Sequence, residues 1–156
     1  MSPSTHMATL RNMSQVAQNH TTHLTVSCLT PIFEPDSIIW CQETFENFKA
    51  LTHFGLSVVR CIGGYSAEDM ASGLNSFEQT VRTALSYSRV RCVAIHLGGV
   101  FSPLLPNIQH ILRSLQDQRL RIWYDDRPNS GEFSAMAGDT RHGRSIWTES
   151  RCVEGS

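Results

Sequence analysis

One segment of the chain, residues 89–126, limits the fold more than any other. An apolar run over residues 90–97 predicts a buried strand, and this strand leads directly into Gly98-Gly99. A helical pattern follows, and a second apolar run over residues 120–124 predicts another strand. Parallel neighbours in a sheet need a crossover connection, which is usually a helix. The segment therefore predicts one strand–helix–strand unit of a parallel sheet.

Further strands and helices alternate on the amino-terminal side of this unit. Strands that are apolar almost throughout are buried on both faces. Right-handed crossovers would then place helices on either side of the sheet. We therefore predict a small three-layer α/β domain with a mainly parallel sheet of about four strands. The predicted strands are residues 37–41, 56–62, 90–97 and 120–124, with a further short one at 25–29, and helical spacing occurs over 42–53, 66–85 and 106–115.

The chain divides into one domain and two flanking tails. Its 156 residues suit a single domain with a core of its own. Residues 1–24 are rich in Ser, Thr and Asn and predict a flexible tail. Residues 25–130 carry the predicted α/β domain. Residues 131–156 are poor in apolar side chains and predict a loosely packed carboxyl-terminal tail.

Charge and cysteine content exclude several function classes. A formal net charge of -1 gives no field that would hold nucleic acid, so we expect a protein partner instead. No apolar run is long enough to span a membrane. The odd number of cysteines and the lack of a secretory signal pattern favour an intracellular, cytoplasmic location. Without Cys-x-x-Cys, Gly-x-Gly-x-x-Gly or P-loop motifs, we expect no metal and no cofactor.

Paired glycines follow two of the predicted strands. Parallel strands end at the same edge of a sheet, where ligands of open α/β folds bind. Backbone amides at such glycines can approach a phosphate or another anion. The alternative is that the glycines only form tight turns between strand and helix. The candidate ligand-binding residues at this edge are Gly63, Gly64, Gly98 and Gly99.

Two polar features of the strands have simpler structural interpretations. Asp125 and Asp126 could bind magnesium with Glu43, but a solvated turn is the favoured interpretation. His96 lies within a predicted strand, two residues before Gly98. A hydrogen-bonded histidine of the core is favoured there over a catalytic one.

The blocks Cys61–Met70 and Val93–Gly99, preceded by a strand that ends near Cys41, resemble the SGNH (GDSL-like) hydrolase family over residues 36–128. This resemblance implies an esterase or acyl hydrolase in which Gly64 offers an amide to an oxyanion. Asp139-Thr140-Arg141-His142 has the form of the closing Asp-x-x-His of that family, with His142 as the base.

The chain departs from the motifs of that family at two places. Cys41-Gln42-Glu43-Thr44 replaces Gly-Asp-Ser, and Gly98-Gly99-Val100-Phe101 replaces Gly-x-Asn-Asp. Cys41 would have to substitute for the serine nucleophile. The candidate catalytic residues are then Cys41, Gly64, Gly99 and His142.

Three functions remain open after these observations. The first is a non-catalytic α/β protein, such as a small viral or accessory protein, that binds another macromolecule. Trp123, Tyr124 and Trp147 lie near arginines and would anchor its interface. The second is an SGNH-like esterase or acyl hydrolase with an altered site. The third is a small-molecule or phosphate binder at the strand-end glycines.

Overall fold

A computed structural model describes residues 14–28, 37–58, 67–98, 105–125 and 145–153. Helices and strands alternate along these residues. The helices are α1 (Gln15–His20), α2 (Ser37–Asn47), α3 (Ala67–Leu85), α4 (Leu105–Ser114) and α5 (Ile146–Glu149). The strands are β1 (His23–Cys28), β2 (His53–Val58), β3 (Cys92–Gly98), β4 (Leu120–Asp125) and β5 (Arg151–Cys152).

The strands form one sheet in the order β1-β2-β3-β4-β5. The first four are parallel, and β5 pairs with β4 in the antiparallel direction. His23 lies beside His53, which in turn lies beside Cys92, so these strands begin at the same edge. The predicted α/β class and mainly parallel sheet are confirmed.

The two faces of the sheet are covered unequally. One face presents side chains such as Val26, Phe54 and Ile95 to a core that also contains buried residues of α2, α3 and α4. The order of the strands explains this arrangement. Each parallel strand lies beside the one before it in the chain, always on the same side, and right-handed crossovers in such a sheet place all of their helices on one face. We expected these helices on both faces. Over the described residues, the opposite face carries Ala94 and Trp123 under Ile146 of α5.

Residues 37–41, which we predicted to form the first core strand, belong to helix α2. A short apolar run fits a buried strand and a buried helix equally well, and only the residues after it decide. Here Thr44, Phe45 and Phe48 continue the buried stripe of Trp40 and Cys41 at helical spacing. The helix starts at Ser37 and ends at Asn47, so both of its ends lie earlier than in the helix predicted over 42–53. The next strand starts at His53, three residues earlier than predicted. Gly55 lies inside that strand.

Both predicted tails contain ordered segments that pack on the domain. Ser14 caps α1, and the carbonyl of Thr22 accepts hydrogen bonds from the amides of Thr52 and His53. At the other end, Ile146 and Val153 are buried. A helix as short as α5 shows no periodicity that sequence analysis could detect. The domain therefore extends beyond residues 25–130 on both sides.

No described helix has both the length and the apolar character that crossing a membrane would require.

Candidate functional site

Most of the glycine edge that we predicted as a site lies outside the described residues. This applies to Gly63, Gly64 and Gly99, and also to His142, the predicted base. Gly98 is the last residue of β3, as expected for a strand-end glycine. Asp125 ends β4, while Asp126 lies outside the described residues. The described residues contain no group of three or more His, Cys, Asp or Glu arranged for a metal ion.

Cys41, the predicted nucleophile, is a residue of the core. Its side chain is fully buried between α2 and α3, and its Sγ lies 3.7 Å from the carbonyl oxygen of Thr80. Burial raises the pKa of this thiol to about 12. A thiolate is required for nucleophilic attack, and this environment suppresses it at neutral pH. The position of Cys41 therefore argues against a catalytic role.

His96 is a hydrogen-bonded residue of the core, in agreement with the favoured interpretation. Its Nδ1 lies 2.7 Å from Oγ of Ser57, on the neighbouring strand, and its ring packs 4.3 Å from that of Trp123. Trp123 is buried, so it is not the exposed interface residue that we expected. Tyr124 is partly buried against the main core. Of the three predicted interface aromatics, Trp147 borders a cavity.

That cavity lies at the amino-terminal edge of the sheet, opposite the edge at which Gly98 ends β3. We call it the amino-edge cleft; its volume is about 310 Å³. Parallel strands that start in register bring their first residues together there. The cleft is lined by His23, His53, Arg91, Cys92, Gln118, Arg119, Arg121 and Trp147.

Two identical Thr-His dipeptides open adjacent strands at the cleft. The rings of His23 and His53 stack with centroids 3.9 Å apart and planes 13° apart. Nδ1 of His23 lies 2.9 Å from the hydroxyl of Thr22, and Nδ1 of His53 lies 2.8 Å from the hydroxyl of Thr52. Within the described ranges, each ring therefore has Nε2 left for a ligand. Burial, then His23 and then Arg91, lower the pKa of His53.

The three arginines of the cleft have different surroundings. Arg119 is bound to Asp117, with Nη2 to Oδ2 at 2.7 Å, and also donates to the carbonyls of Leu85 and Val90. Arg121 donates to the hydroxyl and the carbonyl of Ser150. The Arg91 side chain has no hydrogen bond or ion pair with any residue in the described ranges. Arg91 and Arg121 thus have no carboxylate partner in that part of the chain.

Trp147 closes the cleft and depends on a glycine beneath it. Its ring meets those of His23 and His53 edge-on, with centroids 5.4 and 5.8 Å away. A Cβ atom on Gly55 would lie 3.2 Å from the Trp147 ring, 3.2 Å from Ile146 and 3.0 Å from the Thr25 hydroxyl. Gly55 therefore provides the space in which α5 approaches the sheet.

We expect Gly55→Val to lower the free energy of unfolding by about 1–3 kcal/mol, because the larger side chain overpacks this contact. The displaced Trp147 ring should also shift the indole and imidazole signals in an NMR spectrum. Gly55→Ala should show the same changes to a smaller extent. Unchanged stability and unchanged Trp147 signals in Gly55→Val would contradict this account of α5.

The cleft was not predicted from the sequence, although a signal was present. Thr22-His23 and Thr52-His53 each stand directly before an apolar run, and Arg91 stands at the start of another. We assigned His23 to a solvated tail and His53 to the end of a helix. Only the parallel register of β1 and β2 brings the two dipeptides together.

Comparison of the chain with known protein families, curated proteins and solved structures finds no match. The resemblance to SGNH hydrolases therefore gains no support from a relative. The function of the cleft has to be inferred from its own residues.

Proposed function

We propose that this chain is a non-catalytic binding protein whose amino-edge cleft receives an anionic group of its ligand. The observation that carries the proposal is the lining of the cleft, which among the described residues combines Arg91, Arg121 and two histidines with no carboxylate. A guanidinium at a cavity wall binds carboxylates and phosphates through charge-assisted hydrogen bonds. The net charge of the whole chain is -1, so the positive charge is a local property of this site.

The size of the cleft supports recognition of a single group. Ligand pockets for small molecules span roughly 300–1,000 Å³. A volume of about 310 Å³ lies at the lower end of that range. It suits an acidic side chain or a phosphate carried by a larger partner better than it suits a whole cofactor.

The fixed positions of the neighbouring groups also favour binding. Arg121 is oriented by Ser150, which is buried, and Arg119 is fixed between Asp117 and two backbone carbonyls. Donors that are already in place lose less conformational entropy when a ligand arrives. Arg91 is an exposed residue of the cleft, as are His23 and Gln118, so an incoming ligand can reach it directly.

A protein partner fits this surface best. Trp and Arg are the residue types that contribute most to binding energy at protein interfaces, and Trp147 and Arg91 both line the cleft. An acidic or phosphorylated side chain of the partner would enter between them. This proposal keeps the macromolecular binding that we predicted from the sequence and moves its centre to the amino-edge cleft.

We expect Arg91→Gln to weaken the binding of inorganic sulfate, used as the simplest probe of the site. A hydrogen bond to a charged group contributes about 1.5–3 kcal/mol, which corresponds to about a tenfold to hundredfold loss of affinity. Titration at low ionic strength, followed by NMR signals of the cleft residues or by calorimetry, measures the effect.

Arg82→Gln is the matched control for this experiment. Arg82 is an exposed arginine of α3 that pairs with Glu78 at 3.3 Å and does not line the cleft. Its replacement should leave sulfate binding unchanged. Equal affinity in wild type and Arg91→Gln, or no sulfate binding at all, would refute the proposed site.

A further inference from the structure

The hydrogen bonds of Thr52 favour one of the two neutral tautomers of His53. A threonine hydroxyl has one hydrogen to donate. The Thr52 hydroxyl lies 3.3 Å from the carbonyl oxygen of Thr22, which can only accept, and 2.8 Å from Nδ1 of His53. If the hydroxyl donates to the carbonyl, it must accept from Nδ1–H. Neutral His53 then has its lone pair on Nε2, the nitrogen that remains for a ligand.

This tautomer has a consequence for anion binding. A lone pair on Nε2 repels an anion, whereas protonation turns Nε2 into a charged donor. His23 differs, because the Thr22 hydroxyl makes no such second hydrogen bond in the described part of the chain, and its tautomer is not set in this way. The other titratable or charged groups around His53 come from three strands. They are His23 on β1, Arg91 and the thiol of Cys92 at β3, and Arg121 with the Arg119–Asp117 pair at β4. Helix α5 contributes the uncharged Trp147.

We infer that the cleft binds a doubly charged oxyanion together with one proton, which is taken up on Nε2 of His53. The inference rests on the proposed function, since it concerns the same site. Arg91, Arg121 and protonated His53 then supply positive charge on several sides, which suits a phosphate or sulfate ester better than a single carboxylate. No covalent bond forms or breaks, and the proton comes from solvent.

The electrostatics of the site give the direction of the pH dependence. Without a ligand, burial and the charges of His23 and Arg91 lower the pKa of His53. A bound dianion offsets those charges and raises the pKa again. Because the pKa is higher in the bound state, affinity is greatest below the pKa of the unliganded protein. It is lost as pH rises through the pKa of the complex, by up to about tenfold per pH unit.

Sulfate titrations of the full chain between pH 5 and 8 test this inference. Sulfate does not change its charge in this range, whereas a phosphate ester titrates near pH 6 and would add a proton of its own. We expect wild-type affinity to rise steadily as pH falls. We expect His53→Gln, which keeps a neutral side chain with a polar end, to bind sulfate with an affinity that varies much less with pH than that of wild type.

His23→Gln is the matched variant, since it changes the other ring of the stack. It should retain the pH dependence and move it to higher pH, because His23 is one of the causes that lower the pKa of His53. If His53→Gln does not fold, NMR titration of the wild-type imidazoles still tests the inference, and added sulfate should raise the pKa of His53.

The possible failures are distinguishable. Absence of sulfate binding at every pH would overturn the proposed function and this inference together. Sulfate binding that does not vary with pH in wild type, or that varies as strongly in His53→Gln as in wild type, would overturn the inference and leave the anion site in place.

Discussion

We expect Trp40→Ala to lower the free energy of unfolding by about 3–5 kcal/mol, whereas Ile39→Ala changes it by less than about 0.5 kcal/mol. The two residues are neighbours in α2, yet Trp40 is 2% exposed and Ile39 is 56% exposed. Trp40 packs against Phe54 of the sheet, with ring centroids 6.2 Å apart, and its loss would leave a cavity. Denaturant unfolding of both variants measures the difference.

This pair of variants also tests the helical assignment of residues 37–41. A core strand buried on both faces would place both side chains in the interior, and both replacements would then be costly. Trp40→Phe is a useful third variant, because the Trp40 indole N–H has no hydrogen-bond partner among the residues described. It should lose much less stability than Trp40→Ala. Comparable losses for Ile39→Ala and Trp40→Ala would contradict the position of α2.

The sequence predicts the later half of the sheet better than its beginning. The strand predicted over 120–124 is β4 with one residue added, and the strand predicted over 90–97 overlaps β3 closely. Both are apolar runs of strand length that start after polar turns. The apolar run indicates the strand, and the turn marks where it begins. Residues 37–41 are as apolar, but the stripe continues into Phe45 and Phe48, and tertiary packing makes the whole stretch helical.

The candidate site was harder to predict, for a physical reason. Binding residues at strand ends can be found from paired glycines and familiar motifs, which have a local pattern. The amino-edge cleft has none, because His23, His53 and Trp147 come from three separate elements and Arg91 directly precedes a fourth. Their proximity follows from the strand register and from the space above Gly55, and both are properties of the folded chain. The blocks that resemble SGNH hydrolases lie partly outside the described residues, and the resemblance stays a prediction.

Cys41 provides the second large effect, a loss of stability at alkaline pH. The pKa of its thiol is about 12 in the folded protein, against 9.0 for an exposed thiol. Because the folded value is the higher one, the full stability is present below pH 9 and is lost as pH rises toward 12. Each unit of pKa difference corresponds to about 1.4 kcal/mol, so the complete loss is about 4 kcal/mol, and about 2 kcal/mol is lost by pH 10.5.

We expect Cys41→Ala to lack this component of the pH dependence. The variant loses about 1–2 kcal/mol at pH 7 through the missing sulfur atom, but its stability should fall less steeply between pH 8 and 10.5. Cys92 also has a raised pKa and contributes equally to wild type and variant. The pKa of Tyr87 is raised by burial, by Glu46 and also by Cys41, so the difference between the two curves reports Cys41 together with its effect on Tyr87. Parallel curves would show that Cys41 ionises normally and is accessible. In that case the thiol would regain its place as a candidate nucleophile, because the argument against catalysis depends on the same burial that suppresses its ionisation.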